Sequence, residues 1–252
     1  ITDHGVVQAF PDAWHEYEAI EAECEKAGRE CDFKVIYGVE AYLVDDLKDM
    51  IVNPKGQHLN DRYVVFDLET TGFSAKSDKI IEIGAVKVEN GKIIDRFSTF
   101  VNPEIPIPFR IEKLTSINDE MVIDAPKIEE VLPKFMEFCK DAVMVAHNSD
   151  FDMSFIEANC KRQDLECDFT VIDTVAMSRY LIIGLGRYKL DNVAKALGIV
   201  LDHHHRAVDD AECTALIFLK LCKMLVDKGI DNLDELNRQG KQSKNLIDKL
   251  PA

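Results

Sequence analysis

The pattern of apolar and polar positions predicts strands in the middle of the chain, followed by an alternation of strands and helices. Three consecutive strands are predicted over residues 63–68, 79–89 and 93–101, because each run is rich in β-branched and aromatic residues. Asn90-Gly91 separates the last two runs and predicts a hairpin turn. The short, wholly apolar run 143–146 predicts a central strand that is covered on both faces.

Apolar residues at helical spacing dominate the rest of this region. Helices are predicted over residues 111–117, 128–139, a segment that ends near 162, 174–183, 190–197 and 207–226. A second small strand is predicted at residues 171–172. Strands that alternate with helices imply an α/β domain with helices on both faces of the sheet.

The segments on either side of this region have a different character. A helix with Gly28 as its C-terminal cap is predicted first, and residues 33–43 then predict a buried strand that carries Glu40. Residues 45–61 are polar and predict a linker, and the polar tail predicts a connector. The predicted boundaries are therefore 1–60, 61–226 and 227–252.

Length and composition suit one large domain, or one domain with flanking pieces. The 252 residues are 46% hydrophobic and 30% charged, which is enough for a sizeable core. No apolar run approaches the roughly 18 residues of a membrane span, so no membrane partner is expected. No secretory signal is visible, and Ile1 in place of Met suggests a chain cut from a longer one.

The distribution of cysteines and the net charge exclude further classes of function. The seven cysteines are scattered and form no Cys-x-x-Cys pair, which predicts reduced thiols in a cytosolic protein and not a disulfide frame or a zinc site. A net charge of −16 argues against broad electrostatic binding to nucleic acid. Bound metal ions and a few basic side chains can still bind a polyanion locally, and a partner would then have to strengthen this weak binding.

Two acids end the first strand of the central region. Asp67 and Glu69 are two residues apart, so in a strand they point to the same face. Adjacent carboxylates repel unless cations lie between them, which makes the pair a candidate site for hard divalent metals. Asp152 follows the central strand, and Asp210 lies in the first turn of the last helix. The alternative for the pair alone is two solvated acids at a strand end.

These four acids predict a shared site, because functional groups gather at the carboxyl ends of strands in α/β sheets. Four carboxylates without a cysteine or histidine cage are the ligand set of Mg²⁺ or Mn²⁺. Two such ions, about 3.5–4 Å apart, are typical of phosphoryl-transfer enzymes. The histidine run 203–205 supplies candidate general bases, and residue chemistry alone does not choose among the three.

Residues 62–226 closely resemble the DEDD 3′–5′ exonucleases of the ribonuclease H-like fold. Three ordered motifs carry the resemblance: Phe66-Asp67-Leu68-Glu69-Thr70-Thr71-Gly72, His147-Asn148-Ser149-Asp150-Phe151-Asp152 and His205-Arg206-Ala207-Val208-Asp209-Asp210. In the third motif four residues separate histidine from aspartate, the spacing of the histidine subclass. The resemblance therefore implies that His205 is the general base and that Asp210, not Asp209, is the metal ligand.

The resemblance implies a fold, a reaction and a set of residues. The fold is a mixed sheet flanked by helices, and the reaction releases nucleoside 5′-monophosphates from 3′ ends with two Mg²⁺ or Mn²⁺ ions. The catalytic residues it implies are Asp67, Glu69, Asp152, His205 and Asp210, the four acids being the metal ligands. The substrate contacts it implies are Thr70, Thr71, Gly72, Phe73, His147 and Asn148.

The flanking residues 1–13 and 37–42 resemble the later part of a PHP (polymerase and histidinol phosphatase) domain, with partial PHP segments expected at both ends of the chain. His4 and Glu40 match PHP metal-ligand positions, although a complete PHP site is not expected. An exonuclease inserted in a PHP domain is the arrangement of PolC-type bacterial replicative polymerases. The implied partners are a single-stranded or frayed 3′ end of DNA, the polymerase and PHP portions of the parent chain, and a replication clamp, all in the bacterial cytoplasm.

Two other functions are compatible with the same motifs. The first is an RNA-trimming exonuclease, which a contact to the 2′-hydroxyl group would distinguish. The second is an inactive scaffold that keeps the fold only to bind replication partners. Loss of any of the five motif residues would favour the scaffold, and all five are present.

Overall fold

A computed structural model describes residues 2–4, 9–40, 49–59, 61–200 and 206–238, with the backbone alone for residues 2–4 and 39–40. The chain forms two compact units, Ile1–Asp46 and Leu47–Ala252. Within the described ranges, no helix is both long and apolar enough to cross a membrane.

The smaller unit pairs two short strands with one helix. Strand β1 (Thr2–His4) runs parallel to β2 (Gly38–Glu40), and the register places His4 opposite Glu40. Helix α1 (Phe10–Lys26) lies between them in the sequence and ends before Gly28, as predicted. The backbones of the two candidate PHP ligands are therefore neighbours in one small sheet.

The predicted buried strand over residues 33–43 is wrong in its first half. Regular strand structure begins only at Gly38, and the side chains of Phe33 and Ile36 are 49% and 81% exposed. The apolar pattern was typical of a covered strand, but the described part of this small unit leaves these side chains open to solvent. Residues 41–48 lie outside the described part of the chain.

The larger unit contains six strands and seven helices whose two ends lie within its described ranges, and residues 233–238 are also helical. The strands are β3 (Ile51–Val52), β4 (Tyr63–Thr70), β5 (Ile80–Glu89), β6 (Lys92–Phe100), β7 (Val143–Ala146) and β8 (Val171–Asp173). The helices are α2 (Phe109–Thr115), α3 (Asp119–Val122), α4 (Ile128–Phe138), α5 (Ser149–Arg162), α6 (Thr174–Leu181), α7 (Leu190–Ala196) and α8 (Ala207–Asp227). One sheet of order β3-β8-β7-β4-β5-β6 results.

This mixed sheet confirms the predicted α/β fold. Strand β4 is central and pairs parallel with β7 and antiparallel with β5. Its side chains alternate between two cores. Tyr63 joins the core that contains α8, where its ring lies 4.7 Å from that of Phe218. Phe66 joins the core that contains α4, where its ring lies 5.8 Å from that of Phe135.

The sheet domain extends beyond the region 61–226 that the sequence pattern outlined. Ile51 lies in the segment that was predicted as a linker, yet it belongs to β3 and pairs with Ile172 in β8. Ile230 and Leu233, in the predicted connector, are fully buried in the α8-side core. Short apolar stretches in polar sequence gave no periodic signal, yet burying them at the sheet edge is favourable.

The start of α8 approaches β5 so closely that only glycine fits at position 84. A Cβ atom there would overlap the backbone of Ala207 and Val208. We expect Gly84→Ala to lower the free energy of unfolding by about 1–3 kcal/mol, because the helix must move away from the sheet. Urea denaturation followed by circular dichroism measures this difference.

Gly186→Ala is the matched control for this prediction. A Cβ atom at Gly186 meets no atom within 4 Å, so its denaturation midpoint should stay close to that of the wild type. Equal midpoints for the two variants would contradict the close approach of α8 to β5.

Candidate active site

Strand β4 and helix α8 bring three carboxylates together. Asp67 and Glu69 point to the α8 side of the sheet, and Asp210 lies in the first turn of α8. Oxygen atoms of these three side chains lie within 4.8 Å of one another. We call this group the carboxylate triangle. The period of two in the strand and the helix packed across it place the triangle at the end of β4.

Asp152 borders the triangle from the other face of the sheet. It lies in the first turn of α5 and is 3% exposed. Its Oδ1 accepts the N–H of Leu68 at 3.1 Å, between Asp67 and Glu69 in the sequence. Its charge is among those that raise the pKa of Asp67. The four predicted acids therefore meet around the end of one strand.

Burial and like charge make these carboxyl groups hard to ionise. Burial, with the charge of Asp152 next in importance, raises the pKa of Asp67 well above its usual range. Burial and the charge of Asp210 raise the pKa of Glu69 to about 7. Burial likewise raises the pKa of Asp152 to about 8, although the hydrogen bond from Leu68 opposes the rise. A cation among these groups would relieve both the repulsion and the loss of hydration.

The donor set suits hard divalent metals. Every donor in the triangle is a carboxylate oxygen. Oxygen donors of this kind bind Mg²⁺, Mn²⁺ or Ca²⁺, and the crowding of negative charge favours a cation of charge two. Within the described residues, this is the one group of three or more such side chains close enough to share an ion.

Glu82 is a fourth carboxylate on the α8 side, which sequence reasoning missed. It is fully buried on β5, directly opposite Glu69 of β4. Arg206 forms an ion pair with it at 2.7 Å. An acid inside the apolar run 80–88 was the available signal, because a buried charge needs a partner.

The two threonines of the first motif use their hydroxyl groups inside the turn. The Thr70 hydroxyl donates to the carbonyl oxygen of Gly72 at 2.6 Å. The Thr71 hydroxyl accepts the N–H of Lys79 at 2.9 Å. A Cβ atom at position 72 would overlap the carboxylate of Asp78, so a larger residue there would displace that side chain. These bonds fix the backbone of the turn that follows β4.

Phe73 is the exposed aromatic side chain of this turn. It is 70% exposed, and its ring centroid lies 6.3 Å from that of Phe151 in α5. Phe151 in turn lies 5.2 Å from the buried ring of Phe155. A row of rings therefore runs from the core to a face beside the acids, where an aromatic ring is available for stacking.

The two polar residues that begin the second motif have internal roles. His147 is held at both nitrogens, with Nδ1 2.9 Å from the Thr174 hydroxyl and Nε2 2.9 Å from the carbonyl oxygen of Tyr188. Burial lowers its pKa, and since a carbonyl only accepts, Nε2 carries the proton of the neutral ring. Asn148 adopts φ 72° and donates its N–H to Asp173 at 3.3 Å. The described hydrogen bonds join both residues to the protein itself.

Three predicted residues have no described side chain. His205 lies outside the described residues, so its role as general base stays a prediction. His4 and Glu40 are described only by their backbones, in the smaller unit. Their assignment to a partial PHP metal site also stays a prediction.

Comparison with known proteins agrees with this geometry. Residues 64–218 match the family model described as Exonuclease. The whole chain is 50% identical to part of a "DNA polymerase III PolC-type" from Caldanaerobacter subterraneus subsp. tengcongensis, and it spans 17% of that relative's length.

Solved structures give the same fold. One is "Exonuclease X in complex with 5' overhanging duplex DNA", 29% identical, with a TM-score of 0.52 over 66% of this chain and 93% of that one. Another is the nuclease domain of 3'hExo, a DEDDh family member bound to rAMP. It is 22% identical, with a TM-score of 0.58 over 68% of this chain and 94% of that one, which shows the fold alone.

The sheet, its flanking helices and the carboxylate cluster define an exonuclease domain of the ribonuclease H-like class. The chain belongs to the exonuclease family, and its homologues are PolC-type DNA polymerase III enzymes. The resemblance that the three motifs predicted is thereby confirmed. The PHP resemblance of the flanks stays a prediction.

The raised pKa values predict that the acids destabilise the metal-free protein at alkaline pH. In the fold these carboxyl groups hold protons that the unfolded chain has lost above about pH 4, so the free energy of unfolding falls as the pH rises from there to about 8. We expect Asp67→Asn to raise the metal-free melting temperature at pH 8 by about 3 °C or more, and less at pH 5. Differential scanning calorimetry in a chelator measures this.

A divalent metal should reverse the difference in melting temperature between the wild type and Asp67→Asn. Mn²⁺ should raise the melting temperature of the wild type at pH 8 and leave Asp67→Asn almost unchanged, because the triangle has lost a ligand. Asp124→Asn removes an exposed acid elsewhere on this unit and is the control for net charge. If both variants gain equally in chelator, general charge repulsion and not the site explains the effect.

Proposed function

We propose that this domain is a 3′–5′ exodeoxyribonuclease that releases nucleoside 5′-monophosphates and proofreads for a PolC-type replicative polymerase. The observation that carries the proposal is the carboxylate triangle of Asp67, Glu69 and Asp210, with Asp152 beside it. This arrangement lies within the part of the chain that matches the exonuclease family. The homology to PolC-type polymerases supports the choice of DNA and of proofreading.

The four acids would hold two divalent ions, Mg²⁺ or Mn²⁺. When bound, such ions lower the pKa of a coordinated water and offset the negative charge that grows on the phosphate. The protein's part is to keep the acids in place. The hydrogen bond from Leu68 holds Asp152 against β4, and the packing of α8 on the sheet holds Asp210 opposite Asp67.

His205 is proposed as the general base. Four residues separate it from Asp210, which places it just before α8 in the sequence. A neutral imidazole, with an ordinary pKa of about 6.5, accepts a proton from water near pH 7.

The turn after β4 is proposed to receive the terminal nucleotide. The hydroxyl groups of Thr70 and Thr71 already bond within the turn, so its fixed backbone is the surface offered to the sugar and phosphate. The exposed ring of Phe73 then stacks on a base, which every base permits because each has a flat face. His147 and Asn148 hold the start of α5, the helix that carries Asp152, through their hydrogen bonds to Thr174, Tyr188 and Asp173.

Delivery of the DNA is proposed to come from the rest of the parent chain. A net charge of −16 gives this segment little attraction for DNA of its own. The chain spans 17% of its relative's length, and the polymerase and PHP portions, with a replication clamp, are the partners we propose in the bacterial cytoplasm. Mismatched 3′ ends fray at lower cost than paired ends, so they enter the site more often.

Release of mononucleotides from a 3′-labelled single-stranded DNA tests the proposal. We expect release in Mg²⁺ or Mn²⁺, and a loss of about 10²–10⁴-fold in His205→Ala because the water loses its proton acceptor. Asp67→Asn should abolish release, and Asp124→Asn should match the wild type. A duplex with a mismatched 3′ end should be trimmed faster than its fully paired counterpart.

An RNA of the same sequence runs in parallel. Faster trimming of the RNA would overturn the choice of DNA and favour an exoribonuclease. Cleavage of neither strand by a folded protein that binds Mn²⁺ would favour a domain that only binds replication partners.

A further inference from the structure

Glu82 is a fully buried carboxylate beside the carboxylate triangle, yet it is not one of the three residues that form it. It faces Glu69 across the β4–β5 pair. A further negative charge next to a metal site is costly unless it has a partner of its own. The metal-binding role of its neighbours therefore does not explain why an acid occupies this position.

Arg206 is the partner of Glu82 and is held on two sides. Its Nη2 and Nε donate to Oε1 of Glu82 at 2.7 and 3.0 Å. Its guanidinium group also lies over the ring of Phe100, 4.8 Å from the centroid. Phe100 is the residue of β6 that stands opposite Glu82. Because a planar guanidinium fixed by a carboxylate and a ring has little freedom to move, β5 and β6 together fix Arg206.

The Glu82 carboxylate also caps helix α8. Arg206 is the N-cap residue of this helix, and its own side chain makes no capping hydrogen bond. Oε2 of Glu82 accepts the N–H of Ala207 at 3.1 Å instead. A neighbouring strand thus satisfies one of the N–H groups that a helix leaves unpaired at its start, and it does so with the negative charge that the helix dipole favours there.

The start of α8 determines where Asp210 lies. The carbonyl oxygen of Arg206 accepts the N–H of Asp210 at 3.0 Å, so one helical turn joins the ion pair to the triangle. We propose that the Glu82–Arg206 ion pair positions the active site, because it fixes the start of α8 and so holds Asp210 at metal-binding distance from Asp67. This inference rests on the exonuclease function proposed above, and it makes Glu82 and Arg206 positioning residues.

A second ion pair offers a matched comparison. Arg96 of β6 donates through Nη2 and Nε to Glu212 of α8, at 3.0 and 3.2 Å. This pair has the same chemistry and joins the same helix to the same sheet, but its side chains are 55% and 37% exposed. It follows Asp210 in the helix and does not cap the helix start. The pairs therefore differ in burial and in their place on the helix, so stability is measured separately, and a positioning role predicts a loss of Mn²⁺ affinity in a protein that still folds.

Glu82→Gln and Glu212→Gln test the proposal side by side. We expect Glu82→Gln to lower both the Mn²⁺ affinity and the kcat of mononucleotide release by about 10–100-fold, the range seen when groups that orient metal ligands are removed. KM should change by about twofold or less, since the substrate contacts remain. Raising the Mn²⁺ concentration should recover part of the lost kcat. Glu212→Gln should stay within about twofold of the wild type in every quantity.

Electron paramagnetic resonance measures Mn²⁺ affinity, and calorimetry in a chelator measures stability. Equal losses in the two variants, or wild-type Mn²⁺ affinity in a folded Glu82→Gln, would overturn the proposal. If Glu82→Gln does not fold, Arg206→Lys, which keeps the charge and loses the planar fork, decides by the same criteria. If the wild type releases no mononucleotides, the exonuclease function fails, and the difference in Mn²⁺ affinity still decides the positioning role.

Discussion

Repulsion among closely spaced carboxylates is the constraint on which the active site depends. Asp67, Glu69, Asp152 and Asp210 surround the end of a single strand, and burial together with their mutual charge opposes ionisation of the first three. Left to themselves, such groups would separate or stay protonated. The same crowding that makes the metal-free site unfavourable gives it affinity for divalent cations, so binding strength is obtained at the expense of stability.

The surrounding elements withstand this repulsion because each acid is fixed by its backbone. Strand β4 lies between two cores, so neither face can move without opening packed apolar side chains. Helix α8 lies so close to β5 that only glycine fits at position 84. The hydrogen bond from Leu68 to Asp152 ties α5 to the same strand. Rigid packing, and not attraction among the acids, keeps the site assembled.

Much of this arrangement was predictable from sequence, because it follows from short-range periodicity. The spacing of Asp67 and Glu69 predicted that both point to the same face of the strand. The long amphipathic pattern predicted helix α8 with Asp210 in its first turn. What the pattern missed depends on contacts between distant segments. Ile51 and Leu233 were assigned to a linker and a connector, yet they complete the sheet edge and the core. For Phe33 the error was the reverse: the apolar pattern predicted a buried side chain, but the side chain is exposed, because the pattern carries no information about which segment would cover it.

Glu82 shows why buried acids are both informative and easily overlooked. An acid within an apolar strand requires a partner, and this reasoning singled out Glu40 but applies equally to Glu82. The partner, Arg206, lies 124 residues further along the chain, so no local pattern could identify it. Once found, it divides the acids around β4 into two kinds. Glu82 is neutralised within the protein and shapes the start of α8, whereas Asp67, Glu69 and Asp210 form the group that is close enough to share an ion. The ion pair with Arg206 thus distinguishes Glu82, which positions the site, from the three acids that are available to bind a metal ion.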